Sequence, residues 1–160
     1  MKRRLTVMVL SLCMALGLTA CGGTGKPAGN DAFSTDLSAF YDTIFTHPDN
    51  DPAMMEVPED MLNDMYPGLA DVKRVQTVVY TAMISAVASE VAMVEVENAD
   101  DVETVKTIFQ ARIDDQVNGG AWYPETIDQW ENNAKIVVRD NYVCLFVVDP
   151  EVGAPADDFN

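Results

Sequence analysis

Fourteen residues, Leu5 to Leu18, form an apolar run between Lys2-Arg3-Arg4 and the pair Gly22-Gly23, and this run decides which part of the chain has to fold. As a helix it would reach roughly 21 Å, against about 30 Å of bilayer hydrocarbon, and the glycines stop it. It is too short to span a membrane comfortably. A basic start, an apolar middle and small residues at its end have instead the make-up of an export signal. The sequence therefore predicts a signal peptide over residues 1–20, and a folded domain only well beyond it.

The residues at the cut are more specific. Leu18-Thr19-Ala20-Cys21 resembles the lipobox of bacterial lipoprotein precursors. That resemblance implies cleavage after Ala20, a diacylglycerol on the Cys21 thiol, and Cys21 as the mature N-terminus. An ordinary secretory signal cut near Ala20 is the simpler alternative. Residues 22–31 are rich in glycine, so residues 21–33 read as a lipidated cysteine followed by a flexible linker, with residues 34–160 as a single domain. The expected partner is the membrane, through this N-terminal lipid. The expected location is extracytoplasmic, on the outer face of the cytoplasmic membrane.

Charge narrows the partners further. The chain has 10 basic and 26 acidic residues; removing Lys2, Arg3 and Arg4 with the signal leaves seven against 26, a net of −19. No nucleic acid is expected to bind, because a polyanion is held by clusters of Lys and Arg that release its counterions. Anionic headgroups repel such a domain within a Debye length of roughly 8–10 Å, so it should stand off the bilayer that its lipid anchors. Of three cysteines, Cys13 leaves with the signal and Cys21 is alkylated, so Cys144 has no partner for a disulfide.

Along the domain, Leu37, Phe40, Tyr41, Ile44 and Phe45 recur at helical spacing, with Ser34 or Thr35 as the cap, and His47-Pro48 through Pro52 ends the helix. Pro58-Glu59-Asp60 opens a short helix in a methionine-rich stretch whose Met54, Met55, Met61 and Met65 read as core. Val75 to Tyr80 and Glu90 to Glu97 read as strands, the second with imperfect alternation. Asp100 and Glu103 suggest a capping box for a helix whose stripe is Val102, Val105, Phe109, Ile113 and Val117, stopped by Asn118-Gly119-Gly120. A helix started by Pro124 follows, then strands 134–138 and 142–148 around a tight Arg139-Asp140-Asn141 turn. The tail from Asp149 reads as loose. The order strand pair, helix, strand pair, after an N-terminal helix, predicts an α+β domain: an antiparallel sheet of about four strands with helices on one face.

Tyr66-Pro67-Gly68, the run from Ser85 to Ala92, the helix carrying Val105-Lys106 and Arg112, Asp140-Asn141-Tyr142-Val143 and the closing Phe159-Asn160 resemble domain-of-unknown-function family 4358. The likeness covers roughly residues 35–160. It implies a lipoprotein of a Gram-positive anaerobe, laid out as lipobox, linker and one domain. The family has no assigned activity, so the resemblance assigns no catalytic residue. This chain departs from it at Ala82, where proline is usual, and at Gly153-Ala154-Pro155, where a continuous final helix is usual.

No catalytic set is legible. His47 is the only histidine, which excludes a His-based triad and a two-histidine metal site. Ser85 and Ser89 lack a nucleophile elbow, and Cys144 lies in an apolar strand without cations to stabilise a thiolate. The acids Asp49, Asp51, Glu56, Glu59 and Asp60 offer oxygen ligands, but Ala53 and Met54 break the EF-hand pattern, so neither metal nor cofactor is expected. Trp122, Tyr123 and Trp130 form the best candidate for a ligand or partner surface, the alternative being that they anchor a short helix to the sheet. Glu90, an acid in an apolar strand, is either functional or simply exposed or arginine-paired. These residues favour a non-enzymatic binding or accessory module at the cell envelope, acting on an envelope protein or wall component. The alternative is a carboxylate-dependent hydrolase of wall glycan.

Overall fold

A computed structural model describes residues 33–45 and 53–160. The signal, Cys21, the linker as far as residue 32, His47, Asp49 and Asp51 lie outside the described residues; Phe33, expected to end the linker, packs against Tyr142 and Phe159 as part of the domain. Five strands form one antiparallel sheet: β1 (Met54–Glu56), β2 (Arg74–Ala82), β3 (Glu90–Val96), β4 (Ala134–Arg139) and β5 (Tyr142–Val147), in the order β1-β2-β3-β5-β4. The sheet gains one strand over the expected four. That strand, β1, is three residues long and pairs Met54 with Ala82 and Glu56 with Tyr80, too short a segment for an alternating pattern to show.

Two hairpins make the frame. The β4–β5 turn is the tight one expected, with Asp140 at φ +52°, a conformation that Asp tolerates better than most side chains. The β2–β3 hairpin has a longer loop, residues 83–89. The chain then crosses through α3 (Val102–Asp115) and α4 (Pro124–Asn133) and returns so that β5 lies beside β3, with Met93 opposite Cys144.

Helices cover both sides of the sheet, not one. Helices α2 (Glu59–Met65), α3 and α4 pack Leu62, Val105, Phe109 and Trp130 against Ala92, Val94 and Leu145. Helices α1 (Leu37–Ile44) and α5 (Pro155–Phe159) pack Leu37 and Phe159 against Val91, Met93 and Phe146 on the opposite face. This explains the broken alternation of β3 and the unbroken apolar run of β5: a central strand buried on both faces has no solvent side to mark with polar residues.

Local chemistry differs from the sequence reading at three ends. The cap of α1 is Asp36, whose carboxylate accepts from the Ala39 N–H, rather than Ser34 or Thr35. No capping box forms at α3: a single 3₁₀ turn over Ala99–Asp101 precedes it, and Glu103 pairs with Lys106 instead. The tail is not loose. It closes in α5, where Phe159 is buried against Phe33, Phe40, Tyr142 and Phe146 at centroid distances of 5.0–6.2 Å. Its carbonyl accepts from Arg139 Nη1 at 3.0 Å. Among the methionines, Met55 and Met61 are exposed while Met54 and Met65 pack on the core edges, so only half of that stretch is core.

No helix among the described residues is long and apolar enough to cross a membrane. Removing the aromatic ring that closes the second core is expected to be costly. Phe159→Ala should lose about 3–5 kcal/mol of stability, read as a lower urea midpoint at unchanged slope. A loss under 1 kcal/mol would mean the tail is not docked in solution.

Candidate functional site

Glu90 opens β3 at the end of the 83–89 loop, opposite Thr81 of β2 and Val147 of β5. Its side chain lies on the same face as Ala92 and Val94, beneath α3, and is only 1% exposed. An ionised carboxylate there is tolerable only if its oxygens are fully partnered. Four donors meet them. Oε1 accepts from the Tyr66 hydroxyl at 2.5 Å and from Arg112 Nε at 3.0 Å; Oε2 accepts from Arg112 Nη2 at 2.8 Å and from Thr81 Oγ1 at 3.3 Å.

Each partner is delivered by its own element. Arg112 lies one turn beyond Phe109 on the buried face of α3, so the helix that packs on the sheet also lowers a cation onto it. Tyr66 follows α2, where its N–H bonds to the Leu62 carbonyl, and its ring meets Phe109 edge-on at 5.4 Å. The Arg112 guanidinium sits 5.4 Å from the Trp130 ring and 5.9 Å from that of Tyr66, a cation held between two aromatic faces. Burial pushes the Tyr66 phenol well above its ordinary pKa, and the charge and hydrogen bond of Glu90 push it further, against a smaller opposing effect of Arg112. Burial alone would pull Arg112 down, but bonding to Glu90 and its charge more than offset this and raise it.

Above this cluster opens a cavity of about 290 Å³. Glu90, Arg112 and Ser89 contribute to its lining, together with Thr126 and Trp130 from α4 and Trp122 from the connection between α3 and α4. That connection depends on two glycines. Gly119 takes φ +134°, which turns the chain out of the helix; a Cβ on Gly120 would meet Gln116 Nε2 at 2.6 Å and the Asp115 carboxylate at 2.7 Å. The turn leaves Trp122 at the cavity, 87% exposed. Two bonds fix the surrounding frame: Gln129 of α4 accepts from the Ala88 N–H of the loop, and Thr126 Oγ1 donates to the Tyr123 carbonyl.

Three of the residues singled out from sequence, Glu90, Trp122 and Trp130, thus meet at one cavity. The aromatic group itself divides. Trp130 is 4% exposed and anchors α4 to the core, Trp122 faces solvent, and Tyr123, half exposed, caps α4 without lining the cavity. Tyr66, Thr81 and Arg112 were missed as site residues. For Arg112 a signal existed: it falls at the stripe position between Phe109 and Ile113, and a cation on a buried face requires an anion opposite. Cys144 is fully buried and burial raises its pKa, which leaves no thiolate for chemistry. Among the described residues, no group of three or more His, Cys, Asp or Glu side chains is placed to hold a metal ion.

A family profile with the description Domain of unknown function (DUF4358) matches residues 47–148, more than half of the chain, and the span contains every residue of this site. Searches of curated proteins and of solved structures find no significant match.

Removing one partner of the buried pair strands the other. Glu90→Leu should cost about 3–5 kcal/mol, whereas the triple replacement Tyr66→Phe, Glu90→Leu, Arg112→Met should stay within about 2 kcal/mol of the parent, both by urea unfolding. A triple variant as unstable as the single one would contradict this account of the cluster. Tyr66 also sets an alkaline limit. Its folded pKa lies above the unfolded value of 10.0, so its contribution is fully present below pH 10 and is lost as pH climbs toward the folded value, because only the unfolded chain then releases the proton. Its share of the slope should be roughly 1.4 kcal/mol per pH unit, so Tyr66→Phe should flatten the profile by that amount; equal slopes would rule it out.

Proposed function

This chain belongs to the DUF4358 family, whose description carries no activity, and from its own site we propose that it is a lipid-anchored binding module of the cell envelope that recognises a wall component without turning it over. One observation carries the reading. The one carboxylate among the described residues that line the cavity, Glu90, already accepts four hydrogen bonds, so it has no free lone pair with which to act as a base. A glycosidase needs two carboxyl groups with different duties, and no second Asp or Glu among the described residues lines this cavity. What remains is a polar recess beside an exposed indole, an arrangement suited to holding a ligand.

The anchor is inferred from Leu18-Thr19-Ala20-Cys21 and the signal before it. A tether of this kind on the outer face of the cytoplasmic membrane, followed by a glycine-rich linker, gives the domain reach toward the wall while its net negative charge keeps it off the headgroups.

The test uses the full chain and intact, insoluble wall sacculi. Native protein should carry a diacylglyceryl mass on Cys21, should sediment with sacculi, and should release neither soluble fragments nor new reducing ends. Ser85 is exposed at the cavity, so Ser85→Trp fills the mouth without disturbing the core and should reduce sedimentation about tenfold. Release of soluble glycan would favour a hydrolase instead. An unmodified thiol at Cys21, or a Ser85→Trp protein that sediments as well as the parent, would remove the anchor or the site respectively.

A further inference from the structure

The cavity's chemistry narrows the ligand, given the binding-module reading on which this step rests. Its charges are spent on each other. Among the described residues Arg112 is the only cation in the lining, and two of its nitrogens are committed to Glu90, so an anionic ligand would find no unpaired positive charge and would approach a domain of strongly negative net charge. A cationic ligand would meet that guanidinium and a carboxylate with no oxygen to spare. A wholly apolar one would have to strip water from the ion pair and from Ser89 and return no hydrogen bond.

Donors and an aromatic face are left over. The Nη1 group of Arg112 has no protein acceptor among the described residues, nor does the hydroxyl of Ser89, which is 7% exposed and reached from the cavity. Beside them stands Trp122, whose indole is almost wholly in solvent although nothing in the fold needs it there. A large exposed indole next to unpartnered donors fits a flat ring with an apolar face and hydroxyls on its rim. We infer that the cavity binds a neutral saccharide: one pyranose ring stacks on Trp122, and its hydroxyl or acetamido oxygens accept from Arg112 Nη1 and Ser89 Oγ. At about 290 Å³ the recess takes a single ring, so the rest of an oligosaccharide lies along the surface outside it.

The experiment is calorimetric titration of the full chain, held in a non-glycosidic detergent, with tetra-N-acetylchitotetraose and with cellotetraose. At least one should bind saturably. Trp122→Ala should weaken binding about tenfold or more, Trp122→Tyr should retain most of it because the aromatic face survives, and Ser89→Ala should weaken it several-fold. All three should unfold at the parent's temperature, since Trp122 bears on no core contact and Ser89→Ala removes a single oxygen. No saturable heat with either saccharide at tens of millimolar, or affinity unchanged in Trp122→Ala, would overturn the inference. Sacculus binding that survives such a failure leaves the module reading standing with a different ligand; loss of both removes both.

Discussion

A carboxylate that loses its water must find its hydrogen bonds inside the protein, and the placement of Glu90 forces that condition on three other elements at once. Its oxygens are served by Tyr66 after α2, Thr81 on β2 and Arg112 on α3. A shift of any of those partners would break a bond to an oxygen that is itself almost fully buried. The ion pair is weak evidence for net stability, since the desolvation of two charges offsets most of their attraction. Its consequence is geometric. It fixes how α3 lies across the sheet, and the position of α3 decides where its C-terminal end, the two glycines and Trp122 come to rest.

The rest of the architecture builds the sheet and helices that hold that point in place. Central strands β3 and β5 are covered on one face by α2, α3 and α4 and on the other by α1 and α5, so a chain of modest length builds two apolar layers around a single sheet. The second layer is aromatic, with Phe33, Phe40, Tyr142 and Phe146 gathered about Phe159. It also ties distant segments together: Gln76 accepts from the Leu37 N–H and donates to the Thr35 carbonyl, so the start of α1 is hydrogen-bonded to β2. The cavity lies at the other layer, at the end of the sheet where the β2–β3 loop meets α4.

Elements with a strong period or a hard stop were legible in the sequence. Helix α3 showed itself through Val102, Val105 and Phe109, and the β4–β5 hairpin through Asp140-Asn141 between two apolar runs. Features that depend on partners far along the chain were not. Strand β1 exists only because β2 offers an edge to it, and α5 is held by rings contributed from residues 33–146, neither of which leaves a local trace. Helices on both faces could have been suspected from the unbroken run Tyr142–Val147, which has no side to give to water. At the site, Glu90 stood out as an acid among apolar neighbours and Trp122 as one of two tryptophans. Their convergence, and the distinct fates of Trp122 and Trp130 within one short segment, required the turn at Gly119 to be seen in three dimensions.

The functional reading follows from how completely the acid is used. An acid held by four donors supports a shape; a free one would support a reaction. The most direct measurement is therefore a nitrogen–proton spectrum of the arginine side chains near neutral pH, with Arg112 assigned by its conservative replacement. If Arg112 is buried against Glu90 as described, its Nε–H should exchange with water far more slowly than that of a free guanidinium and should show a through-bond coupling to the Glu90 carboxylate. An Arg112 Nε–H that exchanges as fast as a free guanidinium would contradict the account at its centre.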